Sequence, residues 1–124
     1  MTIKECITRL DSIKPNQYAD SEKLMWLRIL DDRIKRELFD THELPDEVYY
    51  YGYDEHTDIE TEQLLIPFPA YEDVYVNWLM AQVDYANMDI ARYNNSMIMF
   101  NQLYSELCAY FNSIFMPKST PLVY

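Results

Sequence analysis

The side chains that could do chemistry are concentrated in residues 40–62. Five of them alternate along the chain, which on a β-strand would place them on one face, and such oxygen-rich sets suit hard cations: Asp54, His56, Asp58, Glu60 and Glu62. However, the stretch lacks the Asp-x-Asp-x-Asp-Gly order of a calcium loop, and the chain has only two histidines and no Glu-x-x-His pair. We therefore expect no bound metal and no other cofactor.

Recognisable catalytic motifs are missing from the sequence. The single glycine, Gly52, cannot build a phosphate-binding loop, because such loops need several glycines. Neither His42 nor His56 stands in a motif with a Ser or Cys nucleophile. Carboxylate pairs arise by chance in an acidic chain, and none has the apolar surroundings that would raise a pKa for general-acid catalysis. The sequence therefore predicts that the protein is not an enzyme.

The charge and composition of the chain restrict its class and its partners. The 124 residues carry a net charge of −11, which argues against binding to nucleic-acid phosphates or anionic membranes. A hydrophobic content of 49% is enough for one domain with a modest core. No apolar run could span a bilayer and the first residues do not form a signal peptide, so we expect a cytosolic protein. Cys6 and Cys108 are accordingly expected to be free, buried thiols.

Two helices are predicted before the acidic stretch. The first covers residues 1–13, where Thr2 and Glu5 have capping-box spacing. The second covers residues 20–39 and begins near Asp20 and Ser21, which are good N-cap residues. Its apolar stripe consists of Leu24, Leu27, Leu30, Ile34 and Leu38. On its outer face, exposed ion pairs are expected at four-residue spacing between Asp31 and Lys35, Asp32 and Arg36, and Arg33 and Glu37.

Residues 40–69 are predicted to form an acidic loop or a small hairpin. Residues 40–62 contain nine acidic residues and no Lys or Arg. The tyrosine run favours extended backbone, and Gly52 could supply a turn or bulge. Tyrosines beside carboxylates are common in protein interfaces, although these tyrosines could equally cover the core. The candidate interface residues of this stretch are Tyr49, Tyr50, Tyr51, Tyr53, Asp54, Glu55, Asp58, Glu60 and Glu62.

The longest element is a single helix predicted over residues 70–116. From Val76 to Ile114, apolar residues recur at alternating spacings of three and four, and no Gly or Pro interrupts them. These 39 residues would form a helix roughly 58 Å long, whereas a compact chain of this length has a radius of gyration of only about 14 Å. We therefore expect the surplus apolar face to contact another subunit. Residues 117–124 contain two prolines and are predicted to be an extended tail.

Asparagines recur every seven residues beside this stripe and could set the register of packed helices: Asn87, Asn94 and Asn101. They complete the set of candidate interface residues. The alternative to one helix, straight or kinked at Asn94-Asn95-Ser96, is a turn at these residues. We prefer the continuous helix, because a turn would normally shift the phase of the stripe.

Several segments together resemble a family of phage proteins. They are Leu64-Leu65-Ile66-Pro67, Tyr71-Glu72-Asp73-Val74-Tyr75, Ala81-Gln82-Val83-Asp84-Tyr85-Ala86-Asn87, and Arg92-Tyr93-Asn94-Asn95-Ser96 through Met99-Phe100-Asn101. With the N-terminal helices, they resemble the head-tail connector, or adaptor, proteins of bacteriophages and prophages of Gram-positive bacteria. The resemblance implies an all-α subunit, a small helical bundle, that forms a homo-oligomeric ring below the portal and extends the DNA channel.

The same resemblance implies where the protein acts and with what. Its partners would be other copies of itself, the portal protein and a tail-completion or stopper protein. It would lie in the host cytoplasm during assembly and then in the virion neck, and the family has no catalytic residues. The acidic stretch is not matched residue by residue by this resemblance; from its charge we hypothesise that part of the surface from Asp40 to Glu62 faces the channel or an adjoining ring, where it would repel DNA phosphates. The alternative function is an acidic helical inhibitor that mimics nucleic acid and occupies a basic protein.

Overall fold

A computed structural model describes residues 1–118, and in this range the chain forms four α-helices and no β-strand. The helices are α1 (Ile3–Ile13), α2 (Asp20–Ile34), α3 (Asp73–Ala86) and α4 (Ile90–Ile114). A π-helical turn, Lys35–Phe39, extends α2, and a 3-10 turn, Pro69–Tyr71, precedes α3. The predicted all-α class, with the longest helix at the C-terminal end, is confirmed. Most of the predicted extended tail lies outside the described residues.

The start of α1 agrees with the sequence, whereas the start of α2 differs from it. Thr2 caps α1, because its hydroxyl oxygen accepts a hydrogen bond from the backbone N–H of Glu5 at 3.1 Å. The N-cap of α2 is Ala19, which makes no side-chain capping bond. Asp20 lies in the first turn instead and accepts a bond from the Lys4 ammonium at 3.0 Å. The Asp20 carboxylate therefore joins α2 to α1 rather than capping its own helix.

Helix α3 lies at the centre of the bundle and packs against α1, α2 and α4. Its sequence is apolar on more than one side, which is typical of a buried helix. The buried residues include Val74, Tyr75, Val76, Leu79 and Val83. The core therefore forms around α3, and the other three helices and the 40–69 loop cover it.

The continuous helix predicted for residues 70–116 is wrong, because the chain turns at residues 87–89. Met88 is left-handed with φ of 59°. Its N–H donates to the Tyr85 carbonyl and the N–H of Asp89 donates to the Asp84 carbonyl, both at 2.9 Å. These two bonds are those of a Schellman motif, which ends α3. Asp89 then caps α4 by accepting a bond from the N–H of Arg92 at 3.2 Å. The alternative turn at Asn94-Asn95-Ser96 is also wrong, since these residues are helical.

The helical hairpin buries most of the apolar stripe inside one subunit. Val76, Leu79 and Val83 of α3 are buried in the same core as the aromatic and leucine side chains of α4, which are Phe100, Tyr104, Leu107 and Phe111. Only the stripe residues near the turn and at the C-terminal end are exposed, namely Ala86, Ile90 and Ile114. The inference from helix length to a neighbouring subunit is therefore wrong for most of the stripe. The turn happens to keep the three-and-four spacing, so the sequence pattern does not show it.

Two further expectations concern thiols and membranes. Both cysteines are free: Cys6 is buried in α1 and Cys108 is half-buried in α4. None of the helices within residues 1–118 is long and apolar enough to cross a membrane.

Candidate functional site

The 40–62 stretch is a loop, not a hairpin. Its middle lies on α2, and its end is bonded to the start of α1, where the N–H groups of Lys4 and Ile3 donate to the carbonyls of Ile59 and Glu62 at 2.8 and 3.1 Å. The Tyr50 hydroxyl donates to the Asp32 carboxylate at 2.7 Å, and the Arg28 guanidinium donates to the Tyr53 carbonyl at 2.9 Å. Gly52 has φ of +87°, and a Cβ there would meet the Arg28 guanidinium at 3.2 Å. The glycine is thus needed both for the left-handed backbone and for the close approach of Arg28.

A buried carboxylate, Asp31, fastens this loop to the core. It accepts hydrogen bonds from the Tyr53 hydroxyl, from the Tyr75 hydroxyl at 2.6 Å and from the N–H of Leu65 at 3.2 Å. No basic side chain within residues 1–118 forms an ion pair with it, and its side chain is 0% exposed. Burial raises the pKa of Asp31 to about 6, although the bonds from Tyr53, Tyr75 and Leu65 oppose the rise. Burial also raises the pKa of both tyrosines well above 10.0, so both remain protonated donors.

Two of the exposed ion pairs predicted on α2 are wrong. Asp31 is buried and does not pair with Lys35, whose ammonium contacts Asp40 instead. Asp32 pairs with Arg28 at 3.7 Å rather than with Arg36. The third predicted pair, Arg33 with Glu37, is present at 3.1 Å. The sequence did contain a signal for the buried role of Asp31, because it lies at stripe spacing, four residues after Leu27 and three before Ile34.

The four tyrosines of the loop divide into two pairs. Tyr50 is half-buried and Tyr53 is buried, whereas Tyr49 and Tyr51 are exposed, Tyr51 to 87%. Tyr50 and Tyr53 therefore cover the core, whereas Tyr49 and Tyr51 contribute to the outer surface, and their role in an interface stays a prediction.

The carboxylates of the loop face solvent. All nine acidic residues of the 40–62 stretch are exposed, and within residues 1–118 only Asp40 pairs with a Lys or Arg. The carboxylates of Asp54 and Asp58 accept backbone N–H groups of His56 and Glu60 at 2.8 and 3.1 Å. We call the exposed group that follows the tyrosines the acidic surface; it consists of Asp54, Glu55, Asp58, Glu60 and Glu62.

The alternating residues considered for a metal lie in turns rather than on a strand. Among residues 1–118, no group of three or more His, Cys, Asp or Glu side chains is placed to hold a metal ion. The histidines have unrelated surroundings. His56 is exposed, whereas His42 is buried, with Nδ1 2.8 Å from the Leu38 carbonyl and Nε2 2.7 Å from Asn112 Oδ1.

The exposed side of α4 is unusually poor in charge. Arg92 and Glu106 are the only charged residues among the 25 of this helix, although the whole chain carries −11. One continuous exposed strip, which we call the α4 outer face, lies on a single side of the helix. It comprises Ala91, Asn94, Asn95, Ile98, Asn101, Gln102, Ser105 and Ala109. Ile98, at its middle, is 66% exposed.

The predicted asparagine column is only partly present. Asn94 and Asn101 both lie on the α4 outer face. Asn87 lies in the turn between α3 and α4 and accepts a hydrogen bond from the Tyr18 hydroxyl at 2.6 Å. It is separated from the other two because α3 ends before it, so it stabilises the turn against the segment before α2.

Two exposed surfaces thus remain available to partners: the acidic surface, with Tyr49 and Tyr51 beside it in sequence, and the α4 outer face. The first suits cationic groups and repels phosphates. The second suits close packing against another helix, because its residues are small or uncharged. The chain matches no family model, no curated protein and no solved structure.

Proposed function

We propose that this protein is a non-enzymatic structural subunit of a phage particle, a head-tail connector or adaptor. Copies of it form a ring below the portal, extend the DNA channel and contact a tail-completion or stopper protein. Assembly takes place in the host cytoplasm, and the ring ends in the virion neck. The resemblance of the sequence to such adaptors motivates the proposal.

The observation that carries the proposal is the α4 outer face. An exposed strip of eight residues without any charge is unexpected on a subunit of net charge −11. Solvation alone would favour Glu and Lys at such positions. Ala91, Ser105 and Ala109 permit close approach of a neighbouring helix, while Ile98 supplies apolar area and the asparagines supply hydrogen bonds. A contact between this face and a different surface of the next copy is heterologous, and such a contact gives a ring when the rotation between copies closes.

The acidic surface supports the same proposal, because its charge would repel DNA in a channel. A channel must let the genome slide without sticking, and carboxylates lining it repel phosphates. Five exposed acidic residues that have no Lys or Arg partner within residues 1–118 would provide this repulsion, multiplied by the number of subunits in the ring.

Electron microscopy tests the proposal directly. The purified protein, alone at high concentration and mixed with the portal protein of the same genome, is expected to give rings. Ile98→Arg is expected to abolish them, because each copy would place a charge in the interface. The matched control is Ile29→Arg, since Ile29 is also an exposed helical isoleucine but lies on α2. Circular dichroism verifies that both variants fold. Absence of rings with the unaltered protein and portal would refute the proposal.

The nine exposed carboxylates of residues 40–62 also favour a second candidate, an acidic inhibitor that mimics nucleic acid. Such a protein would bind a basic partner with an affinity that falls steeply as salt is added. It would also stay monomeric or dimeric under the conditions in which an adaptor forms rings. Mass measurement at low and high salt therefore separates the two functions.

A further inference from the structure

An apolar pocket of about 210 Å³ lies between the loop that follows the π-helical turn and the C-terminal end of α4. Phe39 and Phe111 in its walls belong to the core and stack on each other, with ring centroids 5.4 Å apart. Leu44 and Val48 are only half-buried and form its loop side. A pocket of this chemistry takes a large apolar group.

A polar depression of about 470 Å³ adjoins this pocket, and Leu44, Asp46 and Val48 line both cavities. Four acidic and two basic residues line the depression, namely Asp40, Glu43, Asp46, Glu47, Lys35 and Lys118. Lys35 pairs with Asp40, whereas Asp46 and Glu47 are exposed and pair with no Lys or Arg within residues 1–118. We call Asp46 and Glu47, which directly precede Val48, the acidic rim of the pocket. The apolar pocket therefore lies beside a surface that attracts cations.

The basic residues of this chain are poorly placed to complement the acidic rim. Eight of its ten Lys and Arg side chains already form ion pairs with carboxylates of the same chain. Arg36 and Lys118 form none within residues 1–118, but Lys118 lines the same depression in its own copy. Residues 119–124 contain no Lys or Arg at all. The occupant that complements both the pocket and its rim is therefore a different, basic protein.

We propose that the pocket and its acidic rim bind an extended segment of a different protein, which carries a Leu- or Phe-sized side chain two residues before a Lys or Arg. In an extended segment, residues i and i+2 point to the same side and lie about 7 Å apart, so one segment can fill the pocket and reach the rim. Asp46 lines both cavities and can accept the cation beside the apolar side chain. The site goes beyond the adaptor function and requires no ring, because an inhibitor of a basic protein could use it as well.

Peptide binding to the full chain tests this site. The probe is the capped heptapeptide Gly-Ser-Leu-Ser-Arg-Ser-Gly, and on its addition to ¹⁵N-labelled protein the amides of Leu44, Val48 and Phe115 are expected to shift. A peptide with Ser in place of Leu is expected to bind at least about tenfold more weakly, because no apolar side chain enters the pocket. A peptide with Gln in place of Arg is expected to bind about threefold more weakly at low salt, because the ion pair is lost.

Charge variants separate the acidic rim from the net charge of the chain. The variant D46N/E47Q is expected to bind the Arg and Gln peptides equally well, with an unchanged affinity for the Gln peptide. The matched control E55Q/E60Q removes two charges from the acidic surface instead and should keep the preference for Arg. Circular dichroism verifies that both variants fold. Equal loss of the preference in the two variants would show that net charge alone attracts the peptide and would overturn the proposal.

Two other occupants of the pocket would give different results. If residues 119–124 filled it, the peptide would shift the pocket amides only in the variant L122D/V123D. If a second copy filled it, the same amides would shift with protein concentration in the absence of peptide. Either result would overturn the proposal, and so would the absence of any peptide-dependent shift.

The outcome is distinguishable from failure of the proposed function, because peptide binding is measured on the isolated chain. Rings without peptide binding would leave the adaptor in place and refute this site. Peptide binding without rings would refute the adaptor and leave this site in place.

Discussion

The hydroxyl of Tyr75 in α3 donates a 2.6 Å hydrogen bond to the carboxylate of Asp31 in α2, and the same hydroxyl oxygen accepts the N–H of Ile66 at 2.9 Å. Tyr53 and Leu65 donate to the other oxygen of Asp31. One buried carboxylate therefore joins α2 and α3 to Tyr53 and Leu65, the two residues that flank the acidic surface in the chain. This carboxylate, which the sequence pattern predicts to be exposed, thus helps to hold the acidic surface in place, together with the backbone bonds from Ile3 and Lys4 to Glu62 and Ile59.

Removing the Tyr53 hydroxyl should destabilise the protein. Tyr53→Phe deprives a buried carboxylate of one of its donors, so we expect the free energy of unfolding to fall by about 1–3 kcal/mol. Tyr51→Phe removes the same atom from an exposed ring and should leave stability unchanged. Urea denaturation followed by circular dichroism measures both. Equal effects of the two substitutions would contradict the role of the Asp31 network.

Stability should also depend on pH through Asp31. Its pKa is raised by burial from 3.8 to about 6 in the folded protein, so folding favours its protonated form. Its stabilising contribution is therefore complete below pH 3.8 and is lost as the pH rises through about 6. The difference corresponds to about 3 kcal/mol. Other carboxylates act in the opposite direction, for example Glu37, whose pKa is lowered mainly by the hydrogen bond from Tyr104.

Asp31→Asn isolates this contribution. The amide does not titrate, so the free energy of unfolding of the unaltered protein should fall relative to that of the variant by about 1–2 kcal/mol between about pH 5 and pH 8. Unfolding curves across this range measure the difference between the two proteins. Parallel pH profiles would show that Asp31 does not titrate as proposed.

Much of the fold could be predicted from local signals, whereas the turn and the hydrogen-bond donors of the buried acid could not. The Thr2 cap, the stripe of α2 and the absence of breakers in α4 are encoded within a few residues of each element. The turn at Met88 has neither Gly nor Pro and keeps the apolar spacing, and its local signal is the single N-cap residue Asp89. Asp31 looks solvent-facing because charged neighbours surround it in sequence, and its donors come from residues far along the chain.

The candidate surfaces were foreseen unevenly for the same reason. The acidic stretch can be recognised from composition alone. Its nine carboxylates are all exposed, so no knowledge of the helix boundaries is needed to find them. The α4 outer face was represented only by Asn94 and Asn101, since its other members become one strip only when the helix boundaries are known. Asn87 was grouped with them because the turn that separates it has no strong sequence signal.

The left-handed residue of the turn offers a stabilising substitution. Met88 is exposed and has φ of 59°, a conformation that costs a residue with a Cβ about 1 kcal/mol and costs glycine little. Met88→Gly should therefore raise the free energy of unfolding by up to about 1 kcal/mol. Ala86→Gly, in the last helical position of α3, should lower it by roughly 0.5–1 kcal/mol. Thermal unfolding of the pair checks the signs, and a destabilised Met88→Gly would show that the turn is not left-handed at this position.

The two thiols should differ in reactivity. Burial raises the pKa of Cys6 to about 12, and burial also raises the pKa of Cys108, which is less enclosed. The thiolate is the reacting form, so alkylation of the native protein should modify Cys108 before Cys6. Mass spectrometry of peptides after iodoacetamide treatment gives the order, and unfolding in urea should make the two rates similar. Faster modification of Cys6 in the native protein would contradict the packing of α1.

Neutralising the acidic surface should impair the particle without unfolding the subunit. The variant E55Q/E60Q/E62Q leaves Asp54 and Asp58 in place, because their carboxylates accept backbone hydrogen bonds. The control E22Q/E43Q/E106Q removes the same charge from exposed positions outside the acidic surface, and none of these three residues pairs with a Lys or Arg within residues 1–118. The free energy of unfolding of both variants should lie within about 1 kcal/mol of that of the unaltered protein, since exposed charges contribute little to stability.

Infectivity then separates the two variants. In a ring, each lost charge recurs in every subunit, so the potential that repels DNA phosphates falls at one place in the channel or at the contact with an adjoining ring. We expect fewer infectious particles from cells supplied with E55Q/E60Q/E62Q than from cells supplied with the control, at equal protein levels. Equal yields would show that the acidic surface is not needed for infectivity. The α4 outer face would then be the only structural support for the adaptor proposal.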